Sequence, residues 1–501
     1  MTGKQKSIVL VTVDCLRADH VGFMGYKRPT TPFLDSLAEE SIVVPNAIVA
    51  GAPTYYSLPA ILASRYPLAL GRDVLGLGPD ECTLTSSLKQ GEYATAAFTA
   101  ANPYISRRFG YDQGFDTFHD YLQDEPERLA IEDPNSPPAG LTSQLNRHLQ
   151  KILPALGPLA AVYDELYFRY CQRITPVGPS LDALRRFPSA DVIIDQAQAW
   201  IESVGEAPFF LWLHLMDPHS PYYPKEEALE LMGKTPITPF GARYLNSSWN
   251  RSDLGPRRMA SRRNDIVALY DAGIRWVDSQ LQRLIGMLRD SRRWDDCIFT
   301  LTADHGEEFL EHGGRYHSPS RLIEELIHVP LLLRVPGCGK REVSSTPFSL
   351  IHLAPTLLDA ANRPIPANFE GVSHWSEFQS GSEFDRLAIS ECVAGCSNPF
   401  HPDHRIGSRV LSVRAARFKL VLFFDPRSEQ LYDLETDPGE ESPLPANAER
   451  TVRCRLLNAA REHLRHSISS RDDRVRVQAR LRELQLKWKK PADKASPVSF
   501  T

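Results

Sequence analysis

Long apolar runs are missing from this 501-residue chain. No stretch approaches the ~18–20 consecutive apolar residues a helix needs to cross a bilayer, so no transmembrane segment is expected. Excess charge of either sign is missing too. The net charge is −5 and the pI near 6.3, which leaves wholesale nucleic-acid binding without electrostatic support. Cysteine is sparse: eight residues lie at 15, 82, 171, 297, 338, 392, 396 and 454. Only Cys392 and Cys396 are close, so the set reads as ordinary reduced thiols rather than a disulfide framework. Internal repeats are absent, which argues against a solenoid. No apolar export segment stands between Met1 and the strand that opens near Ser7, and a cytoplasmic protein is the expectation. The length is enough to bury a large core and to hold more than one domain.

What the chain does contain is a short stretch, Ile298-Phe299-Thr300-Leu301-Thr302-Ala303-Asp304-His305-Gly306-Glu307. A mostly apolar run of this kind reads as a buried strand, and it ends in a carboxylate, an imidazole and a glycine. Near the start, Ile8-Val9-Leu10-Val11-Thr12-Val13 repeats the pattern and ends in Asp14. Ligands of open α/β sheets bind outside the carboxyl ends of the strands, where Asp14, Asp304 and His305 should therefore sit.

The rest alternates. Helices are expected at Thr30–Ala38, from Thr54, near Leu84–Lys89, at Tyr163–Tyr170, near Val192–Val204, over Asp265–Arg289 and at Leu350–Ala361. Strands are expected at Ile42–Val44, Thr95–Thr99, Phe209–Leu215 and Ile327–Leu333. Residues 120–188 are rich in Pro and poor in periodicity and read as an insertion; residues 235–263 read as polar and irregular. From about 370 the strands shorten (Arg386–Ser390, Ser408–Val413, Lys419–Phe424), and a helix near Ala448–His466 closes the series. The expected organisation is an α/β catalytic domain over 1–370, a smaller C-terminal α+β domain over 371–466, and a charged tail over 467–501.

Each candidate residue has an ordinary structural role beside the chemical one. Asp14 and Asp304 can cap the helices that follow them, or hold a metal ion. A His next to a carboxylate suits Zn²⁺ or Mn²⁺ better than Ca²⁺, with Mg²⁺ and Ca²⁺ left open. Thr54 can be an N-cap, or a nucleophile activated by a metal and by the positive end of its helix. Ser57 faces the same first turn and can cap or hold a substrate oxygen. His219 and His317, in loops past strand ends, can protonate a leaving oxygen or neutralise an anion. His312 can simply pair with the acidic residues 307–311, and His214 reads as core or as support for a ligand. Arg17 is either a solvated charge or an anion contact.

At these residues the chain resembles the sulfatases of the alkaline phosphatase superfamily. The resemblance rests on Val11-Thr12-Val13-Asp14-Cys15-Leu16-Arg17-Ala18-Asp19-His20, Thr31-Pro32-Phe33-Leu34-Asp35, Asn46-Ala47, Asp217-Pro218-His219-Ser220-Pro221-Tyr222, Ala303-Asp304-His305-Gly306-Glu307, His328-Val329-Pro330-Leu331 and Leu431-Tyr432-Asp433-Leu434. It implies an alkaline-phosphatase-like sandwich with a large, mostly parallel central sheet flanked by helices. It also implies one divalent metal ion on Asp14, Asp304, His305 and Thr54, with Thr54 as nucleophile and His219 and His317 on the anionic group. The usual sulfatase carries Cys or Ser, oxidised to formylglycine, in Cys/Ser-x-Pro-Ser-Arg. Here Thr54 holds that place, Tyr56 and Leu58 replace the Pro and Arg, and Cys15 replaces a second Asp. A shifted register would put Ser57-Leu58-Pro59-Ala60 there instead. Thr54-x-x-Ser57-Leu58-Pro59 is also similar to the lipid A phosphoethanolamine transferases, which use a Thr nucleophile but carry membrane helices. The implied function is a metal-dependent hydrolase acting on a small anionic sulfuric or phosphoric ester. The alternatives are a phosphoethanolamine-type transferase or an inactive sulfatase-like binding protein. Oligomeric state is not readable.

Overall fold

A computed structural model describes residues 5–122, 158–233, 237–251, 254, 256–343, 345–381, 385–396, 398–469 and seven positions between 473 and 481. Most of the expected tail, and residues 123–157 of the expected insertion, lie outside the described residues. The chain forms two compact units: Met1–Tyr121 with Pro188–Met216 and Val277–Thr501, and Leu122–Phe187 with Asp217–Trp276.

The two apolar runs become the centre of the first unit. Strands Ser7–Val13 and Cys297–Ala303 pair in parallel, and their side chains are buried on both faces, which is why both read as continuous apolar runs rather than alternating ones. An eight-stranded sheet spreads from them in the order Arg341–Glu342, Ile42–Val43, Leu331–Arg334, Cys297–Ala303, Ser7–Val13, Phe209–Leu215, Ala94–Thr99, Thr117–His119. Only Leu331–Arg334 runs antiparallel to its neighbours. The expected α/β class with a mostly parallel central sheet is therefore the observed one. The last register pairs are Val13 with Ala303 and Val13 with Leu215, so Asp14 and Asp304 leave the sheet at the same level.

The single strand expected over Ile327–Leu333 is broken into a helical turn Glu324–Ile327 and strands His328–Val329 and Leu331–Arg334. Pro330, which has no N–H to give a ladder, sits at the break. The C-terminal strands form an antiparallel meander, Ala388–Val393, Arg409–Arg414, Phe418–Phe424 and Arg427–Asp433. Helix Arg450–Ser469 packs Leu456 and Ala460 onto Leu411, Val413, Leu420 and Leu431. The edge strand of this meander grips the chain just ahead of Thr54: Glu391 N–H donates to Ala50 O at 2.9 Å, and Ser390 Oγ to Val49 O at 2.5 Å.

The second unit is helical where the sequence suggested irregular chain. Helix Pro239–Trp249 starts on Thr238, whose hydroxyl accepts from Gly241 N at 3.1 Å, with Pro239 in its first turn, a helix-start arrangement in which Pro loses no needed donor. The long helix runs Pro256–Asp290 rather than from Asp265. Within this unit Arg185 pairs with Asp217 at 2.6 Å, and the Asn246 amide brackets the Tyr222 backbone at 2.7 and 2.9 Å. Among the described residues no helix is long and apolar enough to cross a membrane.

Candidate metal and nucleophile site

Asp14, Asp304 and His305 are all fully buried at the carboxyl edge of the sheet. Each Asp14 oxygen has a distinct environment. Oδ2 accepts from Asn102 Nδ2 at 3.0 Å and lies 3.2 Å from His214 Nε2. Behind His214, Trp212 N–H donates to Thr12 Oγ1 at 3.0 Å, and Thr12 Oγ1 lies 2.9 Å from His214 Nδ1. With Thr12 donating to Nδ1, the proton of His214 is on Nε2 and points at Asp14. This buried chain leaves Asp14 Oδ1 facing His305 Nε2 at 3.6 Å.

His305 is oriented for ligation. Its Nδ1 lies 2.8 Å from Gly306 O, so Nδ1 carries the proton and Nε2 presents its lone pair, as metal-binding imidazoles usually do. Asp304 Oδ1 accepts from His305 N at 3.0 Å, whereas Oδ2 has no hydrogen-bond partner among the described residues and stands 3.6 Å from His305 Nε2. Burial and the charge of Asp14 push the Asp304 carboxyl up, against the pull of His305, His214 and the nearby Thr54 hydroxyl. Two adjacent buried carboxylates, one oxygen orphaned, fit a cation far better than they fit each other. Separations of 3.6 Å also suit two donors on one ion: with bonds of ~2.1 Å at tetrahedral angles the donor–donor distance is about 3.4 Å.

Thr54 opens helix Thr54–Ala63, and its Oγ1 lies 3.1 Å from His305 Nε2. The side chain is nearly buried, as is the whole helix, which fixes the hydroxyl against the carboxylate edge. Gly51 allows the approach, because a Cβ there would lie 2.5 Å from Glu391 O and 2.9 Å from Tyr56 Cβ.

Other expected residues are placed as follows. His317 lies with its ring centre 4.7 Å from that of His305, and its Nδ1 is 3.1 Å from Glu307 Oε1. Burial draws His317 down, but Glu307 foremost, then Asp14 and Asp304, outweigh it and hold the ring above the usual imidazole range. Ser57 turns inward, its hydroxyl donating to Thr54 O at 3.2 Å, so it braces the first turn rather than opening toward an anion. Arg17 is buried and bound: Nε and Nη2 donate to Asp19 at 2.8 and 2.7 Å, and Nη1 to Glu311 at 2.7 Å and Glu307 O at 2.9 Å. Two carboxylates thus already balance the charge expected to meet substrate. His312 pairs with Glu325 at 3.3 Å. His219 belongs to the second unit, where its Nδ1 lies 2.5 Å from Ser220 O and its ring meets Phe187 edge-on.

Three contributors escaped the sequence. Asn102 orients Asp14; its signal was an Asn-Pro pair just past a strand end. Glu307 holds His317; the sequence offered only a Glu two positions after His305. Cys15 packs its Sγ 3.1 Å from Asp14 Oδ1 and 3.5 Å from His317 Nδ1.

A family model described as Sulfatase matches residues 6–363, and one described as N-sulphoglucosamine sulphohydrolase, C-terminal, matches 311–466. Arylsulfatase K of Gallus gallus is 28% identical over 274 residues, covering 50% of each chain; the chain spans about half the length of the arylsulfatase K relatives it matches. An arylsulfatase of Clostridium perfringens (strain 13 / Type A) is 24% identical over 475 residues, 87% of this chain and 89% of that protein. Among solved structures, a protein in complex with its substrate D-glucosamine-2-N,6-O-disulfate aligns with TM-score 0.67 and 17% identity, over 94% of this chain and 99% of that one. The phosphonate monoester hydrolase of Agrobacterium radiobacter aligns with TM-score 0.65 and 19% identity, over 93% and 96%. At these identities the solved structures speak for the fold.

Proposed function

The chain belongs to the sulfatase family, and from that premise we propose that it is a metal-dependent hydrolase of sulfuric or phosphoric esters with a covalent intermediate on Thr54. The observation that carries this reading is the 3.1 Å separation of Thr54 Oγ1 from His305 Nε2, beside the orphaned Oδ2 of Asp304. Asp14, Asp304 and His305 would hold one divalent ion with Thr54 Oγ1 beside it; the mixed oxygen and nitrogen donors favour Zn²⁺ or Mn²⁺ over Ca²⁺ or Mg²⁺. When bound, such an ion supplies Lewis-acid polarisation of the ester and favours ionisation of the hydroxyl.

The chain's own residues account for the rest. Thr54 Oγ1 loses its proton to solvent and forms the new bond to phosphorus or sulfur, and the bond to the leaving oxygen breaks. His317, held by Glu307, gives that oxygen its proton. Water, giving a proton back to His317, then attacks the Thr54 ester, regenerating the hydroxyl and releasing phosphate or sulfate, or a phosphomonoester where the substrate is a diester. His219 is assigned to the same proton delivery by sequence alone. Asn102 and the Trp212–Thr12–His214 chain keep Asp14 in one orientation throughout. Threonine cannot form formylglycine, so the site works as a plain alcohol, and phosphoric mono- or diesters are the favoured substrates. That same feature supports a second reading, transfer of the phosphoryl group to an acceptor hydroxyl.

A panel of aryl phosphate, phosphodiester and aryl sulfate, each with Zn²⁺, Mn²⁺, Mg²⁺ or Ca²⁺, tests the proposal. Turnover of at least one ester is expected, lost in Thr54→Ala and partly kept in Thr54→Ser. Undiminished turnover in Thr54→Ala removes the nucleophile; metal binding without turnover of any ester leaves a binding protein on the same fold.

A further inference from the structure

We propose that Cys15 is a thiolate ligand of the metal ion and biases the site toward thiophilic ions such as Zn²⁺ over Ca²⁺ and Mg²⁺. The inference rests on reading Asp14, Asp304 and His305 as a metal centre, and it adds a donor of different chemistry to that set.

Position comes first. Cys15 directly follows Asp14 and is fully buried, and its backbone is left-handed at φ 62. This conformation is uncommon for a residue with a side chain and persists only where the surroundings hold it. The turn folds the thiol back over the carboxylate it follows. The Cys15 Sγ, an Asp14 oxygen and a His305 ring nitrogen all lie within 4.8 Å of one another. Donors at ~2.3 Å for sulfur and ~2.0–2.2 Å for nitrogen and oxygen stand about 3.5 Å apart around a tetrahedral ion, so one ion can touch all three after small movements.

The second observation is independent of the cysteine. Asp304 is fully buried and its Oδ2 has no hydrogen-bond partner among the described residues, a costly state that a cation relieves. That oxygen stands 3.6 Å from His305 Nε2, and the His305 ring is also a member of the group that holds the thiol, so the carboxylate and the thiol border the same imidazole.

The chemistry then follows. A purely oxygen-lined pocket suits hard ions, whereas thiolate and imidazole together suit Zn²⁺ and Co²⁺. On binding, the S–H bond breaks, its proton leaves to solvent and a sulfur–metal bond forms, with no change of oxidation state.

The test uses the full chain, stripped of metal with chelator and titrated with Co²⁺ alone. Visible d–d bands report Co²⁺ in an ordered site whether or not sulfur is bound; near-ultraviolet sulfur-to-metal charge transfer reports thiolate ligation. Both are expected in the native protein. In Cys15→Ser the charge-transfer band should vanish while the d–d bands persist. The other seven of the eight cysteines remain in that variant, so the loss is assigned to Cys15. In competition titrations, the preference for Zn²⁺ over Ca²⁺ should fall roughly 10- to 100-fold in Cys15→Ser, and circular dichroism should show the variant folded. Native d–d bands without charge transfer, or charge transfer that survives Cys15→Ser, would overturn thiolate ligation and leave the metal centre standing. If Co²⁺ binding is absent, or identical in Asp304→Asn, the metal centre itself fails and the proposal with it.

Discussion

Replacing Glu391 with Gln should destabilise the protein by about 3 kcal/mol at neutral pH, and that deficit should shrink in acid. Glu391 is fully buried in strand Ala388–Val393. Its Oε1 accepts from Leu68 N at 2.9 Å, while Oε2 meets His463 Nε2 at 3.0 Å and the Arg409 guanidinium. Burial raises its carboxyl, but Arg409 and His463 overcome this and pull it from 4.5 to about 2. At 1.36 kcal/mol per unit, that gap is worth about 3 kcal/mol. Because the folded value lies below the unfolded one, the contribution is complete above about 4.5 and is lost as pH falls toward 2. Glutamine keeps an acceptor for Leu68 N but leaves the Arg409 guanidinium and the His463 ring facing a neutral amide. At about 2.1 cal/mol/K per residue, cooperative unfolding of all 501 residues would turn 3 kcal/mol into a Tm shift of about 3 °C. Separate melting of the C-terminal meander would give a larger one. Calorimetry of both proteins at pH 7 and pH 3 measures it. A native-minus-variant gap that is equal at the two pH values would refute the electrostatic argument.

Gly51→Ala should lower kcat by more than tenfold, because a Cβ set 2.5 Å from Glu391 O pushes the chain leading to Thr54, and misplacement by about 1 Å costs on the order of 10²-fold; steady-state kinetics of folded variant checks it. Asn102→Ala removes one of the two donors on Asp14 Oδ2 and should weaken metal binding by roughly 10- to 100-fold in calorimetric titration. Thr12→Val strands Trp212 N–H and His214 Nδ1, with an expected loss of about 1–3 kcal/mol on denaturant unfolding. Glu307→Gln removes the charge that chiefly raises His317. The protonated acid is then lost at lower pH, and the alkaline limb of kcat should move to lower pH; an unmoved limb would exclude His317 as the acid.

Much of the fold could be read from the chain because its central strands are buried on both faces. Ile8–Val13 and Ile298–Ala303 stand out as apolar runs whatever surrounds them, and the residue after each is the informative one. Their adjacency was not legible. Strands nearly 290 positions apart pair only through the sheet order, and that register sets Asp14 level with Asp304. Helix Pro239–Trp249 was missed although Thr238, Pro239 and Gly241 spell a helix start, because its polar residues hide the apolar period. Ser57 and Arg17 show another limit. Sequence spacing can bring a hydroxyl or a guanidinium to the neighbourhood, but a hydrogen bond to Thr54 O or to Asp19 and Glu311 decides where it points. Cys15 was legible only as a missing carboxylate, since nothing local announces that its backbone turns left-handed.

Ester hydrolysis at this site needs a single ion held by Asp14, Asp304 and His305 within reach of the Thr54 hydroxyl. An anomalous-difference map from crystals grown with Zn²⁺ or Mn²⁺ addresses it directly. One strong peak is expected among Asp14 Oδ1, Asp304 Oδ2 and His305 Nε2, close to Thr54 Oγ1. No peak there at full metal loading, or Thr54 turned away from it, would rule out such a centre.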